Sequence, residues 1–230
     1  MRHYCLFLVA VVFSLLLSFP VRAAEEKSAG LVVDQAKRTI TIDAKIAPRK
    51  LEYLKGAIYP IEVIACWPHP RGRKAHETVV TIEVMPSAVH KALESLGLTP
   101  GVPVMGEAKD APQGPEVKIY LDVPGPGGKP HRVPIEKTMI DPKTNTYMPK
   151  VQWRFTGSVM SKPDPSKEDT VYGADMTGTL ISIFPVTNET VLQTNLTMKE
   201  EKYLKLETNT KILPPEGTPV KLVLEVPKMR

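Results

Sequence analysis

Proline and glycine interrupt this chain so often that few of the intervals between them have room for a long helix. Twenty-three prolines and 14 glycines fall among 230 residues, and a proline inside a helix breaks or kinks it. Most of what lies between is short and β-type: residues 31–33, 38–43, 61–67, 78–84, 117–123, 151–159, 179–184, 190–196 and 220–226. Runs of Val, Ile, Thr and aromatic residues bounded by turn formers predict strands. Residues 31–33 and 38–43, joined by the polar 34–37, predict a hairpin with Ile40 and Ile42 on one face.

One segment departs from this pattern. Val89, Ala92, Leu93 and Leu96 recur at helical spacing, behind Pro86 and Ser87 and ahead of Gly97. Proline suits the first helical turn and glycine the left-handed residue past the last one, so a short amphipathic helix is expected over 87–96. Residues 99–115 and 161–169 read as loops. Residues 124–130 read as a hairpin tip, because a phosphate cradle needs a following helix that His131-Arg132-Val133-Pro134 does not offer. No internal repeat is visible. The fold class expected is α+β and β-dominated: antiparallel sheet, or sheets, with one short amphipathic helix packed on the sheet. Residues 31–230 form a single domain in this reading, preceded by a flexible segment at 24–30.

Residues 1–23 have the order of a secretory signal peptide: Arg2 and His3, an apolar run from Cys5 to Leu17, then Val21 and Ala23 at the positions a signal peptidase reads. Cleavage near Ala23 implies an exported protein, periplasmic or secreted, with no transmembrane segment afterwards. It removes Arg2 and Arg22 and no acid, taking the net charge from +5 to +3. That is too mild for a dedicated nucleic-acid binder, which shows a strongly basic face. Cys5 leaves with the leader, so Cys66 has no partner within the chain and stability must come from a hydrophobic core.

The stretch Ile61-Glu62-Val63-Ile64-Ala65-Cys66, a basic turn, Lys74-Ala75-His76-Glu77, then Pro86-Ser87, a helix and Leu96-Gly97-Leu98-Thr99-Pro100-Gly101 resembles the YdjY domain family of exported bacterial proteins. Tyr172-Gly173-Ala174-Asp175 extends the likeness more loosely. The resemblance implies an exported location and assigns no activity.

Between the runs 61–67 and 78–84 lies Pro68-His69-Pro70-Arg71-Gly72-Arg73-Lys74, which suits a hairpin loop. A hairpin symmetric about Arg71 sets Cys66 opposite His76, with Cβ atoms roughly 4.5–5.5 Å apart, and Ile64 opposite Thr78. Two chemistries follow from such a pair. His76 acting as base makes Cys66 a thiolate nucleophile; alternatively Cys66, His69 and His76 hold a soft or borderline metal, with Glu77 as a helper. Strand alternation turns Glu77 away from His76. The plainer reading makes Cys66 a small buried hydrophobe and His76 a strand-end residue. Arg71, Arg73 and Lys74 form a basic tip suited to an anion or a partner, or simply to solvent.

Elsewhere, His90 and Glu94 predict a surface pair one turn apart. Asp164, Glu168 and Asp169 lack calcium-loop spacing. Trp67, Trp153, Phe155 and Tyr172 are candidates for a ligand groove, though aromatics at alternate strand positions more often build core. No nucleophile triad or cofactor fingerprint is present, so no cofactor is expected beyond the metal option. The leading expectation is a non-catalytic binding or assembly module of the cell envelope, meeting a protein or a small ligand. The alternative is a thiol- or metal-dependent enzyme, or a metal-binding protein, centred on Cys66 and His76.

Overall fold

The computed structural model describes residues 25–108 and 110–228; the expected leader lies outside them. In chain order the first elements are β1 (Glu25–Ser28), β2 (Leu31–Asp34), β3 (Thr39–Ile46), β4 (Val63–Cys66), β5 (Thr78–Ile82) and α1 (Pro86–Ser95). Then come β6 (Lys118–Pro124), β7 (Pro130–Pro134), β8 (Met139–Asp141), β9 (Thr146–Tyr147), β10 (Trp153–Phe155), β11 (Met160–Ser161) and β12 (Val171–Tyr172). The last are α2 (Gly173–Thr177), β13 (Thr179–Ser182), β14 (Leu192–Thr194), α3 (Met198–Tyr203), β15 (Glu207–Thr208) and β16 (Pro219–Glu225).

One large sheet carries the fold, in the order β10, β14, β13, β4, β5, β3, β16, β6, β7. β3 pairs with β16 along one edge and with β2, then β5, along the other. The fold is β-dominated α+β, as the punctuation predicts. The sheet is mixed rather than wholly antiparallel, because β4 runs parallel to β5 and β13 parallel to β14.

Local sequence explains the pieces that matter for the site. Asp34 accepts the Lys37 backbone N–H at 2.9 Å and Arg38 takes a positive φ of 55°, which closes the predicted β2–β3 hairpin. Glu25–Ser28, within the stretch expected to be flexible, pairs antiparallel with β2. The predicted helix forms as α1, with Pro86 in its first turn and Gly97 at φ 83° past its end. It buries Val89, Ala92, Leu93 and Leu96 in the main core, and the Ser87 N–H finds a cap in Asp175 Oδ1 of α2 at 2.8 Å. The tip at 124–130 joins β6 and β7 antiparallel, with Pro124 opposite Pro130.

Candidate functional site

β4 and β5 do not form a hairpin. They lie side by side in parallel, Val63 opposite Thr78 and Cys66 opposite Thr81, so the expected pairing of Cys66 with His76 is not made. The reason is legible in β4 itself, whose four residues are all buried. A strand covered on both faces has no solvent side to alternate with, a pattern common in parallel sheets; β4 runs parallel to β5 on one side and antiparallel to β13 on the other. Residues 67–77 return the chain across one face of the sheet, and Val63 and Cys66 are sealed beneath Ala75 and Leu51. The Trp67 and Arg73 N–H groups donate to the carbonyls of Gly178 and Thr177 at the end of α2, at 2.9 and 3.0 Å. Gly72 packs so closely that a Cβ there would stand 1.8 Å from the Trp67 carbonyl oxygen.

The crossover ends in a 3-10 turn, Ala75–Glu77, and this turn undoes the strand alternation assumed for His76 and Glu77. Instead of facing apart, the two side chains meet: His76 Nε2 lies 3.2 Å from Glu77 Oε1. Over them runs residues 47–62, a strap between β3 and β4 that contains a short 3-10 turn, Glu52–Leu54. Tyr53, 48% exposed, stacks on the His69 ring at 4.2 Å between centroids. Its hydroxyl reaches 3.5 Å from His76 Nδ1, the outer limit of a hydrogen bond. Tyr59, 40% exposed, sets an edge against the His76 ring at 5.1 Å. Arg49 fastens the strap to the turn, donating to the His76 carbonyl at 2.9 Å and to the Tyr59 carbonyl. Between strap and crossover lies a cleft of about 390 Å³, lined by residues that include Leu51, Tyr53, Pro68, His69 and Ala75.

The charges beneath the strap are arranged in a chain. Lys74 Nζ sits 2.9 Å from Glu62 and 2.6 Å from Glu77. Burial works against its charge, but the hydrogen bonds to Glu77 and Glu62 prevail and hold its pKa up. Burial raises Glu62, against the pull of Lys74. His76 is lowered, first by burial and then by the charge of Lys74, and so favours the neutral ring. A neutral imidazole that donates from Nε2 to Glu77 leaves Nδ1 as an acceptor toward Tyr53. Cys66 goes the other way: fully buried, it donates to the Trp67 carbonyl at 3.1 Å, and burial pushes its thiol up to about 12. A nucleophilic thiol needs the opposite shift.

Among the described residues no group of three or more His, Cys, Asp or Glu side chains is placed to hold a metal. The basic tip is also not a free patch. Arg71 lies over the Trp67 ring, 5.0 Å from its centroid, and pairs with Glu83; Arg73 stands 3.8 Å from Glu189; Lys74 belongs to the buried chain. His90 contacts Glu94 at 3.5 Å as expected, yet its ring is turned inward, with Nδ1 2.6 Å from the Tyr172 hydroxyl and an edge against Phe155. Trp67, Trp153 and Phe155 are core. A larger groove, about 770 Å³, lies over the outer face of β3, β16 and β6. Its charges are largely tied across strands, Asp43 to Lys221 and Asp122 to Arg132.

Arg49, Tyr53, Tyr59 and Glu62 escaped the sequence reading. The signal that points to them is the length of the strap: connections of that size without strands of their own are uncommon and usually functional.

The YdjY domain family matches residues 31–225. No curated protein and no solved structure matches the chain. With the family spanning nearly every element described above, the chain belongs to the YdjY domain family.

Proposed function

We propose that this chain is exported and serves the cell envelope as a non-catalytic binding or assembly module, which receives a small ligand or a segment of an envelope protein in the cleft between strap and crossover. The observation that carries this reading is the half-exposed Tyr53 ring stacked on His69 at the mouth of that cleft. Aromatic faces offer large contact area at little conformational cost, and hot spots of binding surfaces favour them. Arg49 and His76 hold the strap from beneath, so the rings are positioned before anything binds. Export is supported by the charged, apolar and small-residue order of residues 1–23. No described helix is long and apolar enough to cross a membrane. No cofactor belongs to this reading.

A second reading, proton transfer at His76, is favoured by one observation: Glu77 faces Nε2 while Nδ1 points to Tyr53, an arrangement suited to a general base. Two variants test the first reading. Tyr53→Phe keeps the stack and removes the hydroxyl; Tyr53→Ala removes both. Full-length mature protein is used as bait on envelope extract, alongside a thermal-shift screen of small molecules. A binding module yields a partner or ligand retained by Tyr53→Phe and lost with Tyr53→Ala. A wild type that captures nothing and shifts with nothing overturns the reading; loss with Tyr53→Phe as well assigns the contact to the hydroxyl rather than to the ring.

A further inference from the structure

The strap borders a second cavity, which shares no lining residue with the cleft. It measures about 660 Å³ and is walled by residues from the end of β3 (Ile46), from the strap (Ala47, Arg49, Ile58) and from the chain around β15 (Thr208, Leu213). That volume lies within the range of small-molecule sites. Ile46, Ala47, Ile58 and Leu213 share the wall with polar and charged residues, among them Arg49, a guanidinium-bearing residue only 8% exposed.

The Arg49 side chain is a buried cation that makes no direct ion pair among the described residues. Its guanidinium donates to the carbonyls of His76 and Tyr59, and among the described residues no carboxylate lies within ion-pair distance of it. Among the described residues, two of its five N–H groups have partners. Glu216 is near, but Oε1 accepts from the Arg49 backbone N–H at 2.9 Å rather than from the side chain. Glu207 and Lys50 line the cavity too, both exposed. Burial pulls the guanidinium pKa down, and Glu207, Glu216 and Glu77 act from a distance to keep the charge. Taking a cation out of water is costly unless it is paired and fully hydrogen-bonded, so a planar anion that brought two acceptors to the free N–H groups would complete it. A carboxylate has that shape. An aliphatic tail on the same molecule would cover Ile46, Ile58 and Leu213.

We propose that this cavity is a binding site for a small organic carboxylate with an aliphatic body, anchored by Arg49. The probe is 4-methylpentanoate, titrated into the full mature chain and followed by amide NMR shifts, with the neutral 4-methylpentanamide as control. The expected result is saturable binding at roughly millimolar concentration, with the amide weaker by about tenfold or more. Arg49→Lys weakens the carboxylate by a similar factor, because a point charge does not reproduce the fork. Thr210→Trp, at an exposed position in the cavity wall, blocks the space without touching Arg49 and abolishes binding; it carries the test alone if Arg49→Lys does not fold. Tyr53→Ala leaves the titration unchanged, which separates this site from the cleft. No saturable shift with the carboxylate, equal binding of the amide, or undiminished binding to Thr210→Trp overturns the proposal.

Discussion

Two β-run, connection, β-run units of this chain look alike on paper and fold in opposite senses. β6 and β7 close around 124–130 as a hairpin, whereas β4 and β5 are linked by 67–77 and lie parallel. The difference is written in the strands rather than in the connections, both of which carry more than one proline and at least one glycine. β6 alternates buried and less buried residues along its length, so one face meets water. β4 is buried at every residue and needs a cover on each side. In the hairpin the tip hangs free; in the parallel unit the connection becomes that cover, and with the strap it forms the cleft and the part-buried charges. A candidate site arises where the connection is forced back over the sheet.

The sharpest way to break this comparison is to swap the demands on two glycines. Gly72→Ala puts a Cβ 1.8 Å from the Trp67 carbonyl oxygen, and the crossover has to move; a loss on the order of 3 kcal/mol or more is expected. Gly127→Ala at the hairpin tip meets nothing within 4 Å and only bears its positive φ of 67°, at about 1–2 kcal/mol. Urea denaturation of both variants decides it, and equal losses would mean that the crossover is not the tighter element.

A smaller effect is expected beneath the crossover. Cys66→Leu overfills the space under Ala75 and Leu51 and costs about 1–3 kcal/mol. In the wild type the same thiol stays unlabelled by a maleimide in native buffer and reacts once urea unfolds the chain. Rapid labelling of the native protein would show that the cover is open.

The smallest effect is one of pH. With its folded pKa held below the ordinary 6.5, His76 binds its proton more weakly in the folded chain than in the unfolded one. Its contribution is complete above that value and is lost as pH falls through the folded pKa. Glu62, raised by burial, has the opposite sign, so the effect is read as a difference between variants. The wild-type Tm should fall more steeply from pH 7 to pH 5 than that of His76→Gln.

Much of the architecture was legible because it depends on local pattern. The β2–β3 hairpin, α1 with its proline start and glycine stop, and the β6–β7 tip each follow from residues within a few positions of one another. The continuous apolar run 61–67 held the clue to a parallel strand, and reading it as half of a hairpin aligned Cys66 with the wrong residue. The candidate site was legible only in part. His69, His76, Glu77 and Lys74 are there, but the 3-10 turn that brings His76 to Glu77 carries no periodicity to read, and Tyr53 and Arg49 reach them from a strap earlier in the chain.

By itself the sequence determined the class of fold, the helix and the places where the chain turns, because proline, glycine and the spacing of apolar residues act over a handful of bonds. Only the tertiary structure decided that Cys66 is shut away while Tyr53 and His69 are presented, and that the buried Arg49 guanidinium bonds to carbonyls and makes no ion pair among the described residues. Burial and charge pairing depend on which distant segments cover a given face, and nothing within a single strand states what will be packed on top of it.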